Sequence, residues 1–276
     1  PVISVSVSLP KDELNVGETM QATCTVLPDN ATNNTVKWTS SNTAVATVSE
    51  TGLVTAVSVG TTTIIATSTD GTNISDSKSL TVALLPTSIS LTLPKNELDV
   101  GETMQATYTI LPSNTTNKSA TWISSNTAVA TVSETGMVTA VGVGDATITV
   151  TTADGSNISD SKTLKVVRLV KSVALTLPKD EMNVGDNMQA TCTVLPDNAT
   201  NKTVKWESTN TTVATVNSNG LVTAVGAGTA AITVTTTDGT NLKDSKNLTV
   251  VIRATSVSLS LPKEVLNVGE TMQATA

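Results

Sequence analysis

The chain has 276 residues, a formal net charge of −7, no histidine, no phenylalanine, three tryptophans and one tyrosine. Its Lys and Arg residues are scattered singly, with no basic stripe and no row of aromatics for bases to stack on, which argues against nucleic acid and against an anionic membrane surface. Acyl-transfer, metal and general-base chemistry usually draw on His, Cys or clustered carboxylates, so no enzyme, no catalytic or metal-binding residue and no cofactor is expected.

About a fifth of the residues are threonine, and valine is the next most common. Both are β-branched, which stiffens χ1 and favours strands. Val5-Ser6-Val7-Ser8-Leu9 alternates with period two, placing Val5, Val7 and Leu9 on one face. Pro10 cannot donate to a ladder and breaks this strand. Glu13 to Val16 resumes briefly, and Gly17-Glu18 turns the chain. From Thr19 to Val26 the alternation puts Met20, Ala22, Cys24 and Val26 inward. After a polar loop from Leu27 to Asn34, a strand centred on Trp38 carries Val36 on the same face, with Lys37 and Thr39 outward.

Val45 to Ser49 runs back from the turn at Ser41-Asn42-Thr43. Gly52 sits in a tight turn, where positive φ is cheap for glycine. Leu53 to Val57 and Thr61 to Ser68 follow, with Thr62, Ile64 and Ala66 inward. Asp70-Gly71 is a hairpin signal, and a last strand spans roughly Lys78 to Val82. About seven short strands, with a turn every eight to twelve residues and no helical periodicity, predict an all-β sandwich.

The pattern then repeats. Trp38, Trp122 and Trp206 are 84 residues apart, as are Pro10, Pro94, Pro178 and Pro262. Self-similarity at a fixed period defines the units directly. It predicts domains at 1–84, 85–168 and 169–252, with the start of a fourth, cut short, at 253–276. The joins, Ala83-Leu84-Leu85-Pro86 and Arg168-Leu169-Val170-Lys171, are short and not rich in Gly or Ser, so free swivelling is not expected. An extended, semi-stiff rod is expected, with each repeat touching only its neighbours.

Several residues carry a resemblance. Leu14-Asn15-Val16-Gly17-Glu18-Thr19, Val26-Leu27-Pro28, Val36-Lys37-Trp38-Thr39-Ser40-Ser41, Val45-Ala46-Thr47-Val48, Gly52-Leu53-Val54-Thr55-Ala56-Val57 and Gly60-Thr61 together resemble the group 2 bacterial immunoglobulin-like domain. The resemblance covers all three repeats and the segment from Thr255 to Ala276. It implies tandem Ig-like β-sandwiches in exported proteins: surface adhesins, cell-wall proteins, and phage tails or decorations. The inter-sheet disulfide of antibody domains is missing, since Ile64 stands on the strand that would supply the partner of Cys24.

The site candidates are few. Trp38, Trp122 and Trp206 are read as structural core residues pinning one sheet to the other, with Thr39, Ile123 and Glu207 as variable outward neighbours. Cys24 and Cys192 occupy equivalent places, with Tyr108 between them in the series, and are read as buried small residues. Asp70-Gly71-Thr72-Asn73 with Asp76, and its copies at Asp154 and Asp160 and at Asp238 and Asp244, offers hard oxygen ligands for Ca²⁺. The spacing is not that of an EF-hand loop, and the hairpin turn is the preferred reading. Asn-x-Ser/Thr occurs at Asn30, Asn33, Asn73, Asn114, Asn117, Asn157, Asn198, Asn201, Asn210 and Asn247. An Asn- and Thr-rich chain produces many such triplets by composition, with glycosylation the alternative reading. Lys11, Lys95 and Lys179 lie in a polar turn, which speaks against a buried isopeptide bond.

The sequence carries no signal peptide, anchor or transmembrane run. A secreted or cell-surface stalk is the expectation, with neighbouring Ig-like repeats as partners. The alternatives are an adhesin or phage-type module that recognises glycan or host protein, and a subunit of an extracellular filament, a homopolymer.

Overall fold

The computed structural model describes residues 1–276, and each repeat forms nine short strands with no helix. In repeat one these are β1 (Ser4–Ser8), β2 (Glu13–Asn15), β3 (Thr19–Gln21), β4 (Thr23–Leu27), β5 (Val36–Ser40), β6 (Ala46–Val48), β7 (Leu53–Ala56), β8 (Gly60–Ser68) and β9 (Ser75–Ala83). The chain divides into two compact units, Pro1–Val166 and Val167–Ala276. The first holds repeats one and two. The second holds repeat three and the segment after it.

β1 pairs antiparallel with β4, β3 with β7, and β7 with β6. The facing sheet has the order β2-β9-β8-β5. Period-two alternation puts one apolar face of each sheet inward. Leu14, Ile64 and Leu80 are fully buried in repeat one, as are Leu98, Ile148 and Leu164 in repeat two. Met182, Ile232 and Leu248 hold the same places in repeat three.

Three details differ from the sequence expectation. The strand from Thr19 to Val26 is two strands, because the chain changes partner at Ala22, whose N–H donates to the Gly52 carbonyl at 2.9 Å. The last strand begins at Ser75 rather than near Lys78, extending the β8 ladder to Thr67↔Ser75. β2 pairs in parallel with β9, with Leu14 opposite Val82 and Asn15 opposite Ala83.

The joint between repeats one and two has no slack. The Ala83 carbonyl accepts from Val16 N–H in repeat one at 2.9 Å. The next residue is bonded to repeat two: Leu84 N–H donates to Thr116 Oγ1 at 2.8 Å, and its carbonyl accepts from Thr116 N–H at 3.0 Å. In the second unit Arg168 makes the same two bonds with Thr200, each at 2.8 Å.

Residues 253–276 carry the sequence of the first strands without a facing sheet. They hold one bridge, Ser260↔Thr275, the counterpart of Ser8↔Thr23. Val257 and Leu259 are 80% and 67% exposed, whereas Val5 and Val7, their counterparts, are buried.

Candidate functional site

Each tryptophan lies on the second sheet's outer strand and is half-buried against the core of its own repeat. Trp38 stands opposite Ala66, with Lys37 and Thr39 on the outer face. The ring covers a turn glycine. A Cβ added to Gly52, Gly136 or Gly220 would lie 3.2, 2.8 or 3.0 Å from the indole carbons of Trp38, Trp122 or Trp206. All three glycines have φ near +80°, where a Cβ is disfavoured in any case. A glutamine closes the arrangement. Gln105 Nε2 donates to the Ala106 carbonyl at 2.8 Å and to the Thr135 carbonyl at 2.7 Å, and Gln21 and Gln189 do the same in their repeats. In repeat two Tyr108 meets Trp122 edge-on at 5.7 Å, and its hydroxyl donates to the Lys118 carbonyl.

The acidic residues of the Asp-Gly hairpin spend their oxygens on the protein itself. Asp70 Oδ1 accepts from Thr72 N–H, while Oδ2 accepts from Val2 N–H at 2.6 Å. Asp238 repeats this with Thr240 and Val170. Asp76, Asp160 and Asp244 accept from the N–H groups of Val7, Leu91 and Leu175 at 2.7, 2.8 and 2.7 Å. Each carboxylate thus ties the first strand of its repeat, or the residue two before it, to the last hairpin. The bonds from Thr72 and then Val2 hold the Asp70 carboxyl well below the usual range. The bonds from Val7, Leu91 and Leu175 lower Asp76, Asp160 and Asp244 in the same way. At Asp238 burial opposes ionisation, and the bonds from Thr240 and Val170 outweigh it.

Repeat two breaks the pattern at one point. The residue equivalent to Val2 and Val170 is Pro86, which has no N–H. Asp154 keeps its turn bonds to Ser156, but its inaccessible Oδ2 has no partner.

Nowhere do three His, Cys, Asp or Glu side chains gather in metal-ligand geometry. Cys24 and Cys192 are free and half-buried, and burial pushes both thiols up. Among the sequon asparagines, Asn33, Asn117, Asn201 and Asn210 accept from the residue two positions on and lock turns. Asn73 and Asn157 take positive φ. Lys95 pairs with Glu102 on the surface. The inward Asp76 was accessible to sequence reasoning, since two steps of the strand alternation back from buried Leu80, through Lys78, reach it. The Thr116 clamp had no such signal, being one threonine of many in a polar loop.

A four-stranded sheet facing a two-stranded and a three-stranded one, in this strand order, defines an immunoglobulin-like sandwich, repeated in tandem. The family model for the bacterial Ig-like domain (group 2) matches residues 1–82, 86–166 and 169–247, and the chain belongs to that family. An uncharacterised protein of Clostridium acetobutylicum is 38% identical over 168 residues, 61% of this chain and 17% of that protein. The Ig-like virion protein of Serratia phage KSP90 is 38% identical over 156 residues, 55% of this chain and 60% of that protein. The chain therefore spans less than two thirds of either relative. Among solved structures, the ICAM-5 D1–D4 ectodomain fragment aligns over 95% of this chain and 80% of its own, with a TM-score of 0.55 at 12% identity, a likeness of fold alone. No helix is long and apolar enough to cross a membrane.

Proposed function

We propose that the chain is a spacer of a secreted or cell-surface bacterial protein, with a mechanical and non-catalytic task. Its domains on this reading are 1–84, 85–168 and 169–252, with 253–276 opening a fourth, and Trp38, Trp122 and Trp206 are its structural core pins. The observation that carries the proposal is the joint: Ala83 is bonded within one repeat and Leu84 to the next. A joint without slack suits a segment that holds something at a distance. Display of a binding tag on one, two or three repeats at a cell surface tests this. Tag reach, measured by access to antibodies on beads of graded brush depth, should grow with repeat number. Equal reach for one repeat and three refutes the spacer.

A second reading is a module that recognises glycan or host protein. Ile123, 64% exposed on the outer face of repeat two, supports it, because Thr39 and Glu207 hold that place in the other repeats. A glycan array and whole-cell binding, with Ile123→Glu as the control, decide. Binding that Ile123→Glu abolishes favours recognition over spacing.

A further inference from the structure

The first and last strands of each repeat form a seam. In repeat one Val2 is bonded to Asp70 and Val7 to Asp76. Further along, Thr81 N–H donates to the Asp12 carbonyl at 2.9 Å, β2 pairs in parallel with β9 up to Asn15↔Ala83, and Val16 closes on Ala83. Residues 2 to 16 therefore run alongside residues 70 to 83 in one direction, for ~40 Å at about 3.3 Å per residue. The chain enters the repeat at one end of the seam and leaves it at the other. Tension along the chain shears the seam, loading its rungs together instead of peeling them singly. The rung nearest the point where load enters takes a large share.

Repeats two and three can be compared rung by rung. Both enter through the threonine clamp, Leu84 with Thr116 and Arg168 with Thr200. Both have the aspartate rung on the first strand, Leu91 with Asp160 and Leu175 with Asp244. Both continue with a backbone rung, Lys165 N–H to the Asn96 carbonyl at 2.9 Å and Thr249 N–H to the Asp180 carbonyl at 2.8 Å. Between the clamp and the first-strand rung, repeat three has Val170 donating to Asp238. Repeat two has Pro86 there, and Asp154 Oδ2 is left unpaired.

We propose that repeat two, whose seam is one rung short, yields under tension before repeat three. The inference rests on the spacer reading for its biological use, but rupture is a property of the purified chain and stands or falls separately from the reach assay. The test is constant-force single-molecule pulling on the full chain, where three unfolding steps are read. Pro86→Val restores the N–H that stands at positions 2 and 170. It should slow one of the three steps by roughly tenfold, the weight of one hydrogen bond to a charged group that is intact at the barrier. Adding Asp154→Asn turns a donor toward that N–H and should remove the gain, completing a double-mutant cycle. Asp238→Asn should speed a different step by a similar factor. An unchanged step in Pro86→Val, or a slowing that survives Asp154→Asn, overturns the proposal. If Pro86→Val does not fold, Asp238→Asn alone decides, and unaltered rupture there overturns it.

Discussion

Replacing Gly136 and Gly155 by alanine separates backbone strain from packing, because the two glycines share a conformation and differ in surroundings. Their φ values are +81° and +88°. A left-handed non-glycine residue costs about 1–2 kcal/mol, and both variants incur that. At Gly155 a Cβ meets nothing within 4 Å, so the strain is the whole effect. At Gly136 it would lie 2.8 Å from the Ala106 carbonyl oxygen and 2.8 Å from Trp122 Cζ2. Neither neighbour is free to retreat: Gln105 holds the Ala106 carbonyl, and Trp122 packs on the core and on Tyr108. Overpacking of this kind adds about 1–3 kcal/mol. For a repeat of this size 1 kcal/mol corresponds to about 4–8 °C. The repeat-two transition should therefore fall by about 4–16 °C in Gly155→Ala and by at least a further 4 °C in Gly136→Ala. Scanning calorimetry reads the transition, and tryptophan emission should shift only in Gly136→Ala. Equal losses in the two variants refute the idea that the indole is wedged against the turn.

Other outcomes follow from the same geometry. Asp70, Asp76, Asp160, Asp238 and Asp244 are all lowered in the folded protein. Their stabilisation is complete above the unfolded value of about 3.9 and is lost as pH falls through the folded values. Melting temperature should thus hold from pH 7 to 5 and decline below about 4, and an unchanged value at pH 2.5 contradicts the anchoring role. Leu164→Ala empties a fully buried position and should cost about 2–5 kcal/mol in denaturant titration; a loss under 1 kcal/mol shows that the site collapses around the gap. Cys24 and Cys192, half-buried with raised thiols, should react with a thiol reagent at pH 7 far more slowly in the native chain than in urea. Equal rates contradict their burial.

Much of the sandwich was legible because it is written in period two. The alternation at Val5-Val7, Met20-Ala22 and Ile64-Ala66 names inward faces without reference to the rest of the chain. The tryptophan's face followed from Val36 beside it, and the repeat period multiplied each inference by three. What escaped was non-local. Glu13–Asn15 is too short to announce a parallel partner about 70 residues later. The break at Ala22 depends on which strand lies opposite, not on alanine. Asp76 was read with the Asp-Gly hairpin, as a turn residue or a calcium ligand, because a carboxylate normally avoids an inward position. The backbone N–H of Val7, which makes that position tolerable, becomes visible only once β1 is laid beside β9.

The bond that Leu84 forms with Thr116, one residue after Ala83 closes the preceding repeat, also constrains how such a gene can change. Deleting or inserting a single residue there would carry either the Ala83 bond or the Leu84 pair out of register, so drift in linker length is penalised at once. Copying or excising a whole block of 84 residues leaves every such junction as it was. Change at this junction is therefore tolerated in steps of a whole 84-residue block and penalised one residue at a time.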